Sequence, residues 1–117
     1  MHELGYVHND IKLQNIVIGH LDTDKVYLID FGLATRYRTD YEQHVPKTKA
    51  KFFRGNVLFC SMSQSLGYNT GRGDDITSAL FLLIFLLNDS KLPWSETTRD
   101  KDQKSIPLKE RLMMKTT

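Results

Sequence analysis

Asp10, Lys12 and Asn15 lie within one short segment, and Asp30-Phe31-Gly32 follows after fourteen intervening residues. A carboxylate can hold an acceptor hydroxyl, an ammonium group can neutralise a phosphate, and amide and carboxylate oxygens can hold Mg²⁺. These residue types in this order predict transfer of a phosphoryl group. Because a motif is a hypothesis until its context agrees, the neighbouring elements must be able to bring these side chains together.

The segment between the two motifs predicts a β-hairpin. Residues 15–19 and 25–29 are rich in β-branched and apolar side chains, and the polar residues 20–24 between them are typical of a turn. Such a hairpin would carry Asn15 and Asp30 to one end, where their oxygens could share an ion. The alternative is a surface hairpin whose ends carry acids by chance.

An apolar run over residues 79–87 predicts a helix. Asp74 and Asp75 lie where acids favour a helix start, and Asn88 with Asp89 interrupts the pattern after it. Because the run is apolar on every side, we expect a buried core helix. It is far shorter than the roughly 20 residues that cross a bilayer, so no membrane partner is expected.

Composition sets the outer bounds. The chain has 117 residues, of which 40% are hydrophobic and 26% charged, with a formal net charge of +2. These values predict one small globular domain, and they indicate neither disorder nor a nucleic-acid-binding tail. The single cysteine, Cys60, excludes an internal disulfide. No signal peptide is visible, so the cytoplasm or the nucleus is the predicted location.

From Tyr6 to about Trp94 the chain resembles the protein kinases, and within them the casein kinase 1 family. The matching segments are His8 to Asn15, Asp30 to Arg38, His44-Val45-Pro46, Ser61-Met62-Ser63, Arg72 to Asp75 and Leu92-Pro93-Trp94. The resemblance implies an α+β, protein kinase-like fold in which residues 1–117 form part of a kinase domain. That part would be the mostly helical C-terminal lobe, with a small β-hairpin carrying the catalytic and Asp-Phe-Gly segments. The N-terminal lobe would be absent, since Asp10 lies near the start of the sequence.

The resemblance also implies a role for each motif residue. Asp10 would accept the proton of the substrate hydroxyl, and Lys12 would bind the transferred phosphoryl group. Asn15 and Asp30 would bind the cofactor ATP through Mg²⁺. Asp75 would hydrogen-bond back to the catalytic loop. The alternative for Lys12 is a solvated surface lysine.

Three positions depart from the family. Asn9 replaces the Arg of His-Arg-Asp. Asn56 replaces a Thr that bridges the catalytic Asp and Lys, and its amide is expected to reach both, which makes it a third candidate catalytic residue. Leu58 replaces an Arg that helps to bind an anionic group on the substrate. Lys51 and Lys104 match positions that carry positive charge in the family, so they are candidate ligands of a substrate anion, with a solvated loop face as the alternative.

The resemblance therefore implies a protein serine/threonine kinase of casein kinase 1 type. It would transfer the γ-phosphoryl group of Mg-ATP to protein substrates, acidic ones among them, with no nucleic-acid partner. The alternative is a pseudokinase or a kinase-derived module that binds proteins without catalysis. A glycine-rich loop and a strand lysine upstream of Met1 would favour the first interpretation.

Overall fold

The computed structural model describes residues 1–50 and 53–95. Its elements follow in the order β1 (Tyr6–Val7), β2 (Ile16–Ile18), β3 (Val26–Leu28), β4 (Thr35–Arg36), α1 (Met62–Ser65) and α2 (Arg72–Leu87). One-turn 3₁₀ helices occupy His2–Leu4 and Leu13–Asn15. Strands and helices are thus both present, as predicted. The expectation of a mostly helical unit is wrong within the described residues, because residues 37–50 and 53–61 lie in loops, held by hydrogen bonds such as that of 2.9 Å from the Val45 N–H to the carbonyl of Tyr37.

The predicted hairpin is confirmed, with strands one residue shorter at each end. Ile16 pairs with Leu28 and Ile18 with Val26, in antiparallel register. Asn15 closes the 3₁₀ turn just before β2 instead of lying in the strand. The turn needs Gly19, because a Cβ there would lie 2.4 Å from the backbone oxygen of Asp22. The hairpin therefore sets the two motifs at one end, as its pattern implied.

A second antiparallel pair joins β1 to β4, with Tyr6 opposite Arg36 and Val7 opposite Thr35. Strands of two residues are too short to show an alternating pattern, so they could not be predicted from the sequence. The pair is extended by a hydrogen bond of 3.0 Å from the backbone N–H of Tyr37 to the carbonyl of Gly5. Through this pairing, the segment before Asp10 lies next to the segment after Asp30-Phe31-Gly32.

The apolar core lies on one side of α2. Its fully buried members are Phe59, Leu82, Leu92 and Trp94. The rings of Phe59 and Phe85 meet edge to face at 5.2 Å, and those of Phe81 and Trp94 at 5.1 Å. Such pairs add to the free energy gained from burying their area. This cluster fixes α2 against the loop that precedes α1.

α2 begins two residues before the predicted acids and ends before Asn88, as predicted. Its burial differs from the expectation. Leu82 is 4% exposed, but one face leaves five apolar side chains at least half exposed: Ile76, Leu80, Leu83, Ile84 and Leu87. An apolar sequence makes a helix suited to a core, but the helix is buried only where other elements pack against it. Within the described residues, such elements cover one side of α2. None of the helices within residues 1–50 and 53–95 is long and apolar enough to span a bilayer.

Candidate active site

Asp10 is held by three of the residues that the sequence grouped with it. The side-chain amide of Asn15 donates to the backbone oxygen of Asp10 at 2.8 Å and to its Oδ2 at 3.2 Å. The amide of Asn56 donates to Oδ1 at 3.1 Å, and Lys12 Nζ lies 3.6 Å from Oδ2. Asp10 is 8% exposed, so this carboxylate is both oriented and largely shielded from water. The structure thus assembles Asp10, Lys12, Asn15 and Asn56 into one group.

Asn56 reaches Asp10 but makes no hydrogen bond with Lys12 among the described contacts, which corrects half of the expectation. Its Oδ1 accepts from the backbone N–H of Phe59 at 2.8 Å. That bond turns the amide nitrogen toward Asp10. An amide nitrogen only donates, and so does an ammonium group, so the two cannot pair. A threonine hydroxyl can donate to one group and accept from another, whereas the Asn56 amide nitrogen donates to Asp10 and to the carbonyl of Ile11 at 3.2 Å.

Asn15 and Asp30 offer oxygens at the shared end of the hairpin. The backbone N–H of Ile29 donates to the carbonyl of Asn15 at 2.8 Å, which ties the residue before Asp30 to Asn15. The amide nitrogen of Asn15 is used on Asp10, so its Oδ1 is the atom left for a cation. Asp30 is exposed, and its Oδ1 also accepts from the N–H of Gly32 at 3.1 Å. One neutral and one charged oxygen ligand suit Mg²⁺, which prefers oxygen and completes its shell with phosphates and water.

His8 lies beneath the second motif and is fully buried. Its Nε2 lies 2.9 Å from the carbonyl oxygen of Ile29, and its Nδ1 lies 3.1 Å from the backbone nitrogen of Asp10. Because the carbonyl only accepts and the backbone N–H only donates, the partners assign a neutral ring with its proton on Nε2. The ring also meets that of Phe31 edge to face at 5.4 Å. His8 therefore links the two motifs as a packing and hydrogen-bonding residue.

Asp75 confirms the expected link from α2 to the catalytic loop. It is 4% exposed and accepts from the backbone N–H of His8 at 2.7 Å and of Asn9 at 2.9 Å. A third partner, His2 Nε2 at 2.8 Å, was not foreseen. A histidine six residues before another histidine carries no recognisable signal, and only the folded chain shows where it lies.

Gln64 is a further residue that the sequence did not single out. Ser61 and Gln64 form a Ser-x-x-Gln pattern, which predicts a helix start, and Ser61 Oγ does accept from the Gln64 N–H at 3.1 Å. The Gln64 side chain, however, donates to the backbone oxygens of Asn9 at 2.7 Å and Arg54 at 2.9 Å. The start of α1 is thereby attached to the catalytic loop.

The structure describes neither of the two candidate ligands of a substrate anion. Lys51 and Lys104 lie outside the described residues. Leu58 packs against the apolar cluster, and its backbone oxygen accepts from Trp94 Nε1 at 2.7 Å. Its side chain is therefore engaged in the core. Lys47 and Lys49 approach the ring of Tyr68, with Nζ at 4.7 Å and 5.9 Å from its centroid.

Two arginines lie near the same loop. Arg36 Nη2 donates to Asp40 Oδ1 at 2.7 Å, and this bond together with the carboxylate charge raises the pKa of Arg36 above its ordinary value. Arg72 lies over the ring of Tyr37, 5.0 Å from its centroid. The loop that carries Lys47 and Lys49 is joined to the residues after α1, since the Ala50 N–H donates to the carbonyl of Gly67 at 2.7 Å. Of these two arginines, Arg36 is thus paired with a carboxylate and Arg72 lies against an aromatic ring.

The arrangement of Asp10, its supporting amides and the Asp30 segment matches what the motifs implied. The protein kinase domain family matches residues 1–117. The chain belongs to the protein kinase family. It is 33% identical over 116 residues to a probable casein kinase I homolog of Encephalitozoon cuniculi, covering 96% of this chain and 36% of that protein. It is 36% identical over 104 residues to a casein kinase 1-like protein of Oryza sativa subsp. japonica, covering 80% of this chain and 14% of that protein.

A third relative is a probable serine/threonine-protein kinase of Dictyostelium discoideum. It is 39% identical over 106 residues, covering 88% of this chain and 21% of that protein. The casein kinase 1-like relatives confirm the resemblance found in the sequence. The chain spans about a third of the length of the first relative and less of the other two.

Proposed function

We propose that the protein carrying this chain is a serine/threonine kinase of casein kinase 1 type, which transfers the γ-phosphoryl group of Mg-ATP to hydroxyls of protein substrates. The observation that carries the proposal is the Asp10 carboxylate, fixed by the amides of Asn15 and Asn56 with Lys12 Nζ 3.6 Å away. Similarity to two casein kinase 1-like proteins and to a probable serine/threonine-protein kinase supports the same class.

Asp10 would hold the attacking hydroxyl. Its Oδ2 already receives Asn15 Nδ2 and faces Lys12, whereas Oδ1 receives Asn56 Nδ2 alone among the side chains that the structure describes. A carboxylate oxygen can accept about two hydrogen bonds, so Oδ1 keeps a position for the substrate hydroxyl. As the hydroxyl oxygen bonds to phosphorus and the bond to the β-phosphate oxygen breaks, the hydroxyl proton passes to Asp10.

Lys12 and the hairpin end would stabilise the phosphates. The Lys12 ammonium lies beside Asp10, where a transferring phosphoryl group would approach, and it offsets negative charge there. Asn15 and Asp30 would hold Mg²⁺, which when bound neutralises the phosphate oxygens and orients them. The remaining contacts to ATP would come from parts of the kinase domain that pair with this C-terminal-lobe region.

Substrate choice and location belong to the same proposal. Lys47 and Lys49, together with Lys51 and Lys104 outside the described residues, would favour acidic protein segments through charge attraction that salt weakens. The cytoplasm or the nucleus is the proposed compartment.

The test is transfer of labelled phosphate from Mg-ATP to an acidic serine peptide by the protein that carries this chain. Asp10→Asn keeps the shape of the side chain and removes the proton acceptor, so we expect transfer to fall by about 10³-fold or more. Asp89→Asn, the same change just beyond the end of α2, is the matched control and should retain the wild-type rate. Absence of transfer by the wild type, or full activity of Asp10→Asn, would favour the protein-binding alternative.

A further inference from the structure

We propose that Asn9 is a positioning residue that fixes the distance between Asp10 and Asp30 by holding the chain on the far side of Asp30-Phe31-Gly32. This inference rests on the proposed function, since it concerns the same site. It assigns a purpose to a residue that is a departure from the family sequence.

The side chain of Asn9 uses every polar atom it has. Its Nδ2 donates to the carbonyl of Leu33 and to Thr35 Oγ1, each at 2.8 Å. Its Oδ1 accepts from the hydroxyl of Thr70. Asn9 is 8% exposed, and an amide buried to this extent would be costly to leave unpaired. We call Asn9, Leu33, Thr35 and Thr70 the Asn9 network.

The backbone of Asn9 is held equally well. Its N–H donates to Asp75 Oδ1 at 2.9 Å, and its carbonyl accepts from Gln64 Nε2 at 2.7 Å. Its φ is +73°, in the left-handed region that asparagine adopts more readily than most residues. Asn9 thereby contacts α1, α2, β4 and Thr70, which lies two residues before α2. A residue anchored on so many sides can act as a fixed point for the chain that it holds.

Asn9 and His8 act on opposite flanks of the Asp30 motif. His8 Nε2 donates to the carbonyl of Ile29, just before Asp30, while Asn9 Nδ2 donates to the carbonyl of Leu33, just after Gly32. Asp10 follows directly in the chain. Two adjacent residues therefore couple the segment that carries the catalytic carboxylate to both ends of the segment that carries the metal-binding carboxylate. Since Asp30 itself is exposed, these flanking bonds, together with the backbone bond from Ile29 to Asn15, set its place.

The network also explains why a neutral residue serves here. Asn9 donates to a carbonyl and a hydroxyl and accepts from a hydroxyl, so the network is complete without any anion. An arginine would bring an extra charge and would need an anionic partner. The proposal therefore predicts that the position of Asp30 depends on Asn9 and not on a charged group.

The test replaces Asn9 by glycine in the protein that carries this chain. Glycine accepts φ +73° without steric cost, so Asn9→Gly removes the side-chain bonds alone. We expect kcat to fall about tenfold and the Mg²⁺ concentration for half-maximal rate to rise at least about threefold, with the peptide KM within about twofold. The change in Mg²⁺ requirement is the readout that general destabilisation of a folded enzyme would not produce. Asn88→Gly, at the exposed end of α2, is the matched control and should leave all three values unchanged.

Thr35→Val is the second variant, because it removes one acceptor of the network from an exposed strand that tolerates β-branched residues. It should shift kcat and the Mg²⁺ requirement in the same direction but less, and it decides the matter if Asn9→Gly does not fold. Hydrogen exchange of the backbone amide of Ala34, which donates to the carbonyl of Phe31, should be faster in both variants. Exchange at Ile29, in the hairpin, should not change.

Wild-type values of kcat and Mg²⁺ requirement in both variants would overturn the inference. So would a rise in peptide KM at constant kcat. If the wild type transfers no phosphoryl group, the proposed function fails, and hydrogen exchange alone tests the role of Asn9. Faster exchange at Ala34 with unchanged exchange at Ile29 in the variants supports that role. Unchanged exchange at both amides overturns it.

Discussion

Asp75 accepts a hydrogen bond of 2.7 Å from the backbone N–H of His8, although 67 residues separate them. The carboxylate lies in the first turn of α2, and the N–H lies two residues before Asp10. The bond attaches the catalytic loop to the longest helix of the described chain. Because α2 is itself fixed by the aromatic cluster, the position of Asp10 depends on packing far from it in sequence.

Asp75→Asn tests this attachment. The amide keeps one acceptor oxygen and replaces the other by an N–H₂ group. In one orientation this group faces the N–H of Asn9, and in the other it faces the N–H of His8 and the ring of His2. Either way a donor faces a donor. We expect the free energy of unfolding to fall by about 2–4 kcal/mol, measured by urea denaturation. Asp89→Asn, just beyond the end of α2, should change it by less than about 0.5 kcal/mol. Equal stability of the two variants would contradict the prediction.

Asn56 offers a test of how Asp10 is oriented. Asn56→Ala removes the donor to Asp10 Oδ1 and leaves the N–H of Phe59 without its partner. We expect kcat/KM to fall about tenfold, which corresponds to roughly 1.4 kcal/mol. Asn56→Thr should recover part of the loss, because its hydroxyl can donate to Asp10. A threonine variant no better than the alanine variant would contradict the role of this side chain in orienting Asp10.

The neutral Asn9 network makes a prediction about regulation. Phosphate on Thr39, Tyr41 or Thr48 would find no arginine at position 9 to receive it. Activity of the whole protein should therefore be unchanged by phosphatase treatment. The check is the rate before and after treatment, with loss of phosphate followed by mass spectrometry. A large fall in rate, reversed by rephosphorylation of one of these residues, would contradict it.

The sequence predicted what depends on local pattern and on chemistry. The hairpin followed from two β-branched runs around a turn, and the end of α2 followed from Asn88. Contacts between distant residues were not predictable in the same way. The donation from Gln64 to Asn9 crosses 55 positions, and nothing in either residue type specifies the other. The exposed side of α2 was missed because hydropathy describes what a helix could bury, not what lies beside it.

Leu58 supplies the last prediction. The family has an arginine at this position, but here the leucine packs against the apolar cluster that contains Phe59 and Trp94. Leu58→Arg would force a guanidinium either into that cluster or out into water with loss of packing. We expect the free energy of unfolding to fall by about 1–3 kcal/mol, whereas Leu58→Met should change it by less than about 1.5 kcal/mol.

Without a guanidinium at position 58, the wild type lacks a charge-assisted bond worth about 1.5–3 kcal/mol. We therefore expect it to prefer phosphate-primed peptides over acidic ones by less than about tenfold in kcat/KM. An arginine variant as stable as wild type would show that the leucine contributes nothing to the cluster, and a wild-type preference well above tenfold would show that another cation binds the anion.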